Sequence, residues 1–399
     1  MLADTNVALG VTGSIAAVKT VELAHELRRQ GGRVRAVTTP SAEDILHPWA
    51  LEFATDRPPV TEITGAVEHV GLCGREGWAD VLLIAPATAN TVGKIAAAVD
   101  DTPVTTCATT ALGAGVPVVI APAMHEPMYD HPGVLDAISA VESWGVDFVD
   151  PRIEEGKAKV ASEGAIVTAA ARATTPATLA DRHVVVTAGA TTESIDPIRT
   201  LSNRASGRTG REIARACHVR GADVTLVHDG PEVPYADVRC VESAAEMLDA
   251  VSAAVAGEGG GGGGGGEAGT SPADALVSAA AIGDFTVETA AEKIRSGGPL
   301  TLELEPTPKL LDTVRESNPD LTMVGFKAET GADDDAMIER ARQLRDRVDL
   351  AFVVANDARV MGADETRALF VFGETTETYA GSKIGLSSRV ADEIAASFE

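Results

Sequence analysis

The segment APAMHEPMYDHP, residues 121–132, holds a dense group of chemically capable side chains and follows the apolar run GVPVVI. Its two imidazoles, His125 and His131, lie among acidic, aromatic and thioether side chains. Such groups can ligate a metal ion, line a substrate pocket or face water in a turn. Metal binding is disfavoured, because the histidines are six residues apart in a proline-broken segment and acidic residues are common throughout this chain. The residue types alone leave the pocket and the turn open.

Small hydroxyl and amide residues follow three predicted strands in the first half of the chain. They lie in GVTGSIAA (10–17), TTP (38–40) and APATANT (85–91), and the first of these leads into a helix that starts near Ser14. Backbone N–H groups at a helix start, together with the helix dipole, favour phosphate binding. GVTGSIAA lacks the GxGxxG spacing, so by itself it fits a structural turn equally well. Three such strand ends at one sheet edge favour a mononucleotide.

A single histidine, His69, precedes the third of these strands in VEHVGLCGREGWADVLLIAPATANT (67–91). Imidazole is suited to proton transfer near neutral pH. A lone histidine is nevertheless more often exposed to solvent or hydrogen bonded within a core, so this residue is only a candidate.

A long polar segment marks the second half of the chain. TAGATTESIDPIRTLSNRASGRTGREIA (187–214) follows a predicted strand directly and is longer than the connections that compact domains usually use. Its small residues, with Arg199 and Arg208, indicate recognition of phosphate or carboxylate at a helix start. Further along, SAAAIGDF ends a predicted strand with Asp284, and EKIRS offers Lys293. Lysine suits a triphosphate, whereas the aspartate suits a ribose hydroxyl, Mg²⁺ or a simple strand-end cap.

The elements that position these residues alternate between short apolar runs and amphipathic stretches, which predicts parallel strands with crossover helices. The pattern restarts after the Thr/Pro/Ala-rich linker RATTPATLADR (172–182), so we expect a domain boundary near residue 178. The predicted fold class is therefore α/β with two doubly wound domains. Eight consecutive glycines at 259–266 predict a flexible surface insertion (257–269) without chemistry, since lengthening a loop costs little closure entropy.

Length and charge narrow the class of protein. A chain of 399 residues favours two domains. The 59 acidic and 33 basic residues give a formal net charge of -26, which repels nucleic acid and suggests a halophile-like cytosol in which salt screens the charge. No apolar run reaches bilayer length and the first segment resembles a strand rather than a signal peptide, so we expect a cytoplasmic protein with no membrane partner.

The four cysteines form no CxxC pair, which predicts buried thiols rather than disulfides or a zinc site.

The motifs of the first half match a known family. GVTGSIAAVKT, EHVGLCGREGWADVLLIAPATANTVGKIA and PAMHEPMY are colinear over most of residues 6–170 and resemble the flavin-containing cysteine decarboxylases, specifically the phosphopantothenoylcysteine decarboxylases. The resemblance implies a flavodoxin-like or Rossmann-like flavoprotein domain that binds FMN at a subunit interface of a trimer. The essential histidine of the family falls on His69. The residues implied to hold FMN are Gly13, Ser14, Ile15, Thr39, Thr88 and Asn90.

Two positions depart from the pattern of that family. Its substrate-binding motif usually reads Pro-Ala-Met-Asn, with the asparagine holding the substrate carboxylate, and here His125 follows Met124. Imidazole can still donate one hydrogen bond, or two when protonated. The clamp segment EEGKAKVASEG (154–164) lacks the cysteine that donates a proton in many bacterial members, and Lys157 or Lys159 can take that role, bind the substrate phosphate or face water. The resemblance thus implies that PAMHEPMY is the lip of the decarboxylase pocket.

The second half, from residue 181 to 396, resembles the phosphopantothenate-cysteine ligases, most specifically in the polar segment at 187–214. The resemblance implies a Rossmann-like ligase domain that uses CTP to form an acyl-cytidylate of 4'-phosphopantothenate, which L-cysteine then attacks. By position, Asn203 would bind the acyl-cytidylate, Lys293 would act in the nucleotide site, and Asp284 is a candidate Mg²⁺ ligand. The other residues implied to surround CTP are Ala280, Pro308, Lys309, Leu310, Leu311, Phe326 and Arg342, the last in place of a lysine. Another nucleotide-site lysine of the family aligns with Asp346, which reverses the charge.

Together the two resemblances predict a bifunctional enzyme of coenzyme A synthesis, with a decarboxylase domain at 1–178 and a ligase domain at 179–399. The ligase would make 4'-phosphopantothenoylcysteine, and the decarboxylase would convert it to 4'-phosphopantetheine. We expect a homo-oligomer with trimeric decarboxylase domains and dimeric ligase domains. The alternatives are an FMN-dependent decarboxylase or prenyltransferase acting on another substrate, and a regulatory flavoprotein. The ligase-like half argues against the first, and the presence of both His69 and Lys293 argues against the second.

Overall fold

Two α/β units make up the chain, Met1–Pro176 and Ala177–Glu399. The computed structural model describes residues 1–154, 157–258, 271–295, 297–329, 333–357 and 365–399. The glycine run of the predicted insertion at 257–269 lies outside the described residues, as does the side chain of Lys157.

The first unit is built on a five-stranded parallel sheet. The strands of this unit are β1 (Asn6–Val11), β2 (Arg33–Thr38), β3 (Val81–Ala87), β4 (Val118–Pro122), β5 (Met124–His125), β6 (Asp147–Phe148), β7 (Arg152–Glu154) and β8 (Lys157–Lys159). The central sheet has the order β2–β1–β3–β4–β6, and β5, β8 and β7 form a small antiparallel sheet of their own. Strand β3 is buried along its whole length, as expected for an apolar strand with helices on both faces.

Helices cover the central sheet of the first unit. They are a 3₁₀ helix (Ile15–Lys19), α1 (Thr20–Arg29), α2 (Pro40–Glu43), α3 (Pro48–Thr55), α4 (Glu68–Cys73), α5 (Ala89–Ala96), α6 (Pro103–Ala114), α7 (Glu126–Tyr129), α8 (Pro132–Glu142) and α9 (Glu163–Thr174). Several begin with hydroxyl caps that the sequence encodes locally, such as Thr88 before α5 and the Thr102 capping box before α6.

The second unit contains an eight-stranded mixed sheet. The strands of this unit are β9 (His183–Thr187), β10 (Thr192–Ser194), β11 (Thr200–Ser202), β12 (Asp223–His228), β13 (Asp237–Cys240), β14 (Ala275–Ser278), β15 (Phe285–Val287), β16 (Leu304–Pro306), β17 (Thr322–Glu329), β18 (Phe352–Asp357), β19 (Glu365–Phe372) and β20 (Thr375–Ser382). The main sheet has the order β13–β12–β9–β14–β17–β18–β19–β20, parallel as far as β18 and antiparallel at β19 and β20. The predicted doubly wound α/β architecture is confirmed, with an antiparallel extension that the sequence pattern does not indicate.

Helices pack on both faces of this sheet. They are α10 (Arg208–Val219), α11 (Ala244–Val255), α12 (Leu310–Ser317), α13 (Asp334–Val348) and α14 (Lys383–Ala396). One core cluster joins the sheet to α10 and α14, and the other joins it to α11, α12 and α13. Among the described residues, no helix has the length and apolar character needed to cross a membrane.

The cysteines follow the prediction with one exception. Cys73, Cys107 and Cys217 are buried and free, whereas Cys240 is exposed. Its exposure follows from its position at the end of β13, which is the outer strand of the larger sheet.

Candidate functional site

The carboxyl ends of β1, β3 and β4 are tied together by hydroxyl groups. Thr12 Oγ1 donates to the Pro86 carbonyl oxygen at 2.8 Å and accepts from the Thr88 N–H at 3.2 Å. Ser14 Oγ donates to the Ala123 carbonyl oxygen at 3.1 Å. The chain passes from β1 to β2 on one side and then crosses to β3 on the other side of β1, so the strand order reverses between β1 and β3. Ligands of open α/β sheets bind in the crevice at such a reversal.

The turn after β1, which we call the cradle, has no side chain at Gly13. A Cβ placed on Gly13 would lie 2.4 Å from Ser41 Oγ and 2.6 Å from Ser41 Cβ, so only glycine fits there without displacing Ser41. Ser41 Oγ also lies 3.2 Å from Thr39 Oγ1, which caps α2 by accepting from the Ala42 N–H at 3.2 Å. The turns after β1 and β2 therefore pack against each other at the sheet edge.

Thr88 caps α5 by accepting from the Thr91 N–H at 3.2 Å. Asn90, in the first turn of the same helix, is exposed. Ile15 is also exposed, with 78% of its surface accessible in the single chain. The structure thus brings all six residues predicted to hold FMN to the carboxyl edge of the first sheet.

His69 lies in the short helix α4, two residues after Val67. Val67 has φ 49 and ψ 50, a left-handed conformation that β-branched residues rarely adopt. Glu68 accepts from the Thr64 backbone N–H at 2.8 Å and from the Thr64 hydroxyl, and these bonds hold the pKa of Glu68 below its usual value. The Nδ1 atom of His69 is buried and has no hydrogen-bond partner among the described residues. A buried nitrogen without a partner costs free energy, so any group that bonds this atom lowers that cost.

The segment at 121–132 divides between two elements. Met124 and His125 form β5 and pair with Ala158 and Lys157 of β8, so the predicted lip is hydrogen bonded to the predicted clamp. The His125 side chain is exposed. His131 instead caps α8, because its Nδ1 accepts from the Gly133 N–H at 3.1 Å. Within the described ranges, no group of three or more His, Cys, Asp or Glu residues could hold a metal ion.

The second unit has a cavity of about 710 Å³ at the carboxyl ends of β9, β14, β17 and β18. Strands β9 and β14 are neighbours, and the next strand of the sheet lies on one side for β9 (β12) and on the other side for β14 (β17). The strand order therefore reverses between β9 and β14, as it does between β1 and β3 in the first unit. The charged lining is mainly basic. It consists of Arg204, Arg208, Lys309, Lys327, Arg347 and Lys383, with Asp284 and Asp312 as the lining acids among the described residues.

Seven of the predicted ligase residues line this cavity. They are Ala280, Asp284, Pro308, Lys309, Leu310, Leu311 and Phe326. Lys309 Nζ donates to Asp284 Oδ1 at 2.6 Å. Asn203 lies beside the cavity, where its Nδ2 donates to the Ala281 carbonyl oxygen at 2.9 Å.

Two predicted residues are not brought to the cavity of this unit. Arg342 donates through Nη2 to the Glu374 carbonyl oxygen at 3.1 Å, so it is directed to the turn between β19 and β20. Lys293 is exposed on the segment after β15. Its neighbour Ile294 is fixed by Asp196 and Arg199, since the Ile294 N–H donates to Asp196 Oδ2 at 3.1 Å and its carbonyl oxygen accepts from Arg199 Nη2 at 3.0 Å.

Sequence reasoning singled out two of the cations that line the cavity, Arg208 and Lys309, and missed four others: Arg204, Lys327, Arg347 and Lys383. Arg347 follows the charge-reversed Asp346 directly and pairs with Asp312. Its position one residue from a family lysine was a usable signal. Lys327 lies in β17 and Lys383 begins α14, and neither carries a motif that marks it in the sequence.

Strand order and site geometry define the class of this protein: an α/β enzyme with a mononucleotide-type crevice in one unit and a basic cavity for anionic substrates in the other. Comparison with known proteins makes the class specific. Residues 1–175 match the family model described as Flavoprotein. Residues 179–398 match the DNA/pantothenate metabolism flavoprotein C-terminal domain.

Two similar proteins match this chain over nearly its full length, and one solved structure matches about half of it. The coenzyme A biosynthesis bifunctional protein CoaBC of Thermococcus kodakarensis is 46% identical over 98% of this chain and 95% of its own length. Its counterpart from Bacillus subtilis is 33% identical over 99% and 98%. A solved structure, the DNA/pantothenate metabolism flavoprotein from Streptococcus pneumoniae, is 21% identical with a TM-score of 0.46, covering 54% of this chain and 99% of its own. The chain belongs to the family of bifunctional coenzyme A biosynthesis enzymes, flavoproteins that combine a decarboxylase and a ligase activity.

Proposed function

We propose that the second unit joins L-cysteine to 4'-phosphopantothenate with CTP, and that the first unit decarboxylates the product, 4'-phosphopantothenoylcysteine, to 4'-phosphopantetheine with FMN. One observation carries the ligase half. Among the described residues, the cavity of the second unit is lined by six basic and two acidic side chains, although the chain as a whole has a net charge of -26. Such a local reversal of charge favours anionic substrates, as a nucleoside triphosphate and a phosphorylated acid both are.

The residues at the edge of the first sheet fit FMN. Because a side chain at Gly13 would displace Ser41, glycine preserves the shape of this turn, and we propose that the backbone N–H groups at Ser14 and Ile15 bind the phosphate. The hydroxyls of Thr39 and Thr88 and the amide of Asn90 would hold the rest of the cofactor. Bound FMN supplies reversible two-electron oxidation of the cysteine part of the substrate, which eases the loss of CO₂.

Three residues of the first unit act on the substrate in this proposal. His69, whose buried Nδ1 has no hydrogen-bond partner among the described residues, transfers a proton to or from the substrate. His125 donates a hydrogen bond to the substrate carboxylate, the role that asparagine has in the resembling decarboxylases. Met124 lies beside it in β5 and packs against the substrate.

In the second unit, the nucleotide would occupy the side of the cavity formed by Ala280, Pro308–Leu311 and Phe326. Asn203 would bind the acyl-cytidylate, since its amide already lies beside the end of β14. Lys293 and Arg342 remain proposals that rest on the family resemblance, because their side chains lie away from the cavity of this unit.

Mg²⁺ would enter with the nucleotide. Its usual protein ligands are one or two carboxylates, completed by substrate phosphates and water. Asp284 is the carboxylate we propose for it, and its present partner, Lys309, would then be released to the triphosphate.

Exposed apolar side chains support a homo-oligomer. Trp49 and Phe53, one turn apart on α3, are 77% and 75% exposed in the single chain, comparable with Ile15 at 78%. Large exposed apolar side chains of this kind mark contact surfaces. We propose trimeric packing for the decarboxylase units and dimeric packing for the ligase units, as in the resembling families.

The test is to incubate the purified protein in concentrated KCl with 4'-phosphopantothenate, cysteine, Mg²⁺ and CTP, and to measure CMP, CO₂ and 4'-phosphopantetheine. ATP in place of CTP tests the choice of nucleotide. A folded, flavin-containing sample that forms neither CMP nor 4'-phosphopantetheine would refute the proposal.

A further inference from the structure

The helix that carries His69 is short, and its later end is anchored in the core of the first unit. Leu72 and Cys73, the last residues of α4, are buried in the core cluster under the sheet. The Trp78 N–H also donates to the Gly71 carbonyl oxygen at 3.0 Å. A helix of six residues is too short to be stable by itself, so its direction depends on what holds each of its ends.

The start of α4 is held differently, at a residue in a strained conformation. Val67 precedes the helix in the left-handed region, which costs a β-branched residue free energy. Its side chain is exposed, so packing in the core does not impose this conformation. The Val67 carbonyl oxygen accepts from the Val70 N–H at 2.9 Å and from the Gly71 N–H at 3.3 Å. The conformation of Val67 therefore sets where the helix begins and how His69 is directed.

The turn before α4 is closed by Thr64 and Glu68. Glu68 Oε2 accepts from the Thr64 N–H at 2.8 Å, and Glu68 Oε1 accepts from the Thr64 hydroxyl. The Thr64 hydroxyl accepts in turn from the Ala66 N–H at 3.1 Å, and the Thr64 carbonyl oxygen accepts from the Val67 N–H at 3.1 Å. We call the two bonds between Thr64 and Glu68 the brace. They span Val67 on both sides and so offset the cost of its conformation.

We infer that Glu68, through the brace with Thr64, is a positioning residue for His69 in the decarboxylation. The inference rests on the proposed function, which gives proton transfer to His69. Among the described residues, the buried Nδ1 of His69 has no hydrogen-bond partner, so no bond to this nitrogen orients the ring. The orientation then depends on the backbone of α4, whose first turn the brace holds in place.

The test uses the full-length protein with FMN bound and follows CO₂ release from added 4'-phosphopantothenoylcysteine. Glu68→Gln keeps the shape of the side chain but leaves one acceptor oxygen in place of two. Val67→Gly allows the left-handed conformation without steric cost, and it is combined with Glu68→Gln in a double variant. Glu76→Gln is the matched control, because it removes the same charge from an exposed side chain in the turn after α4.

Glu68→Gln should lower kcat about tenfold, since even a misplacement of about 1 Å can cost about 100-fold in rate. The Michaelis constant and the FMN content should stay the same, because the brace does not contact the substrate or the cradle in this proposal. The double variant should recover much of the lost kcat, since glycine adopts the required conformation without the brace. Glu76→Gln should behave as the wild type.

An unchanged kcat in Glu68→Gln would overturn the inference. A loss of FMN parallel to the loss of kcat would also overturn it, and so would a double variant no faster than Glu68→Gln.

Hydrogen exchange separates this inference from the proposed function, because it does not require the reaction. The Val70 and Gly71 amides, which donate to Val67, should exchange faster in Glu68→Gln than in the wild type or Glu76→Gln. If the wild type releases no CO₂ but the exchange responds in this way, the proposed function fails and the brace stands. If the wild type and Glu68→Gln release CO₂ equally fast, only the inference fails.

Discussion

Asn203 Nδ2 donates a hydrogen bond to the Ala281 carbonyl oxygen at 2.9 Å, which fastens the polar segment after β9 to the end of β14. These two strands flank the crevice at the switch point of the larger sheet. The Asn203 side chain thus links the polar segment at 187–214, which most specifically carries the ligase resemblance, to the end of the strand that precedes Asp284.

Replacing Asn203 by Ala should lower CMP formation about tenfold or more, because the bond to Ala281 and the proposed contact with the acyl-cytidylate are both lost. The rate of CO₂ release from added 4'-phosphopantothenoylcysteine should stay the same. Asn318→Ala is the matched control, since the Asn318 amide donates to the Val314 carbonyl oxygen at 3.0 Å on α12 and takes no part in the proposed site. Equal losses in both variants would argue against a role for Asn203 in the reaction.

Gly13→Ala should yield protein with less than one FMN per chain, because the new Cβ would displace Ser41 from the cradle. The double variant Gly13→Ala with Ser41→Gly removes the colliding side chain and should recover much of the flavin. Flavin absorbance relative to protein absorbance measures the result. Gly113→Ala in α6 is the control, since a Cβ at that position would meet no atom within 4 Å, and it should raise stability by about 0.5–1 kcal/mol without changing the flavin content.

His69→Leu should abolish CO₂ release while leaving CMP formation intact. The free energy of unfolding should not fall, because an apolar side chain removes the unsatisfied buried Nδ1. Denaturant unfolding and the two activity assays test this together. Loss of both activities would contradict the assignment of the two reactions to separate units.

His125→Ala should raise the Michaelis constant for 4'-phosphopantothenoylcysteine about tenfold, the expected loss for a hydrogen bond to a charged carboxylate. His125→Asn should restore most of the affinity, because an amide can donate the same bond. His131→Ala serves as a comparison, since it removes only the cap of α8 and should cost about 1 kcal/mol of stability. An unchanged Michaelis constant in His125→Ala would remove this residue from the pocket.

Asp196→Asn should destabilise the second unit in a pH-dependent way. Burial of the carboxyl raises its pKa, but the N–H groups of Ile198, Arg199 and Ile294 and the charge of Arg199 lower that pKa by more. A lowered pKa in the folded state contributes stability that is complete above the unfolded value of about 3.9 and is lost as the pH falls through the folded value. Urea midpoints of wild type and variant should therefore differ most near neutrality and converge below about pH 4. A difference that stays constant down to pH 3 would contradict this origin.

The sequence by itself determined the family and the parallel, doubly wound part of the architecture, but not the antiparallel strands β19 and β20. Alternating apolar strands and amphipathic helices predicted two doubly wound α/β domains, because burial on both faces of a parallel sheet requires such runs. The sequence also indicated which turns could bind a ligand. Glycine, serine and threonine after a strand are needed locally, for the backbone conformation of the turn and for capping the next helix. The Gly13 turn and the Thr88 cap belong to this class.

Only the tertiary structure decided which distant residues share a site. Lys383 and Arg208 line one cavity although 175 positions separate them, because α10 and α14 start at the same sheet edge. Arg342 is directed instead to the Glu374 carbonyl, although its sequence position suggested the nucleotide. His131 proved to be a helix cap, whereas His125 pairs through its backbone with the clamp. Local sequence encodes helices, strands and caps, but the direction of a side chain depends on packing between elements that lie far apart in the chain.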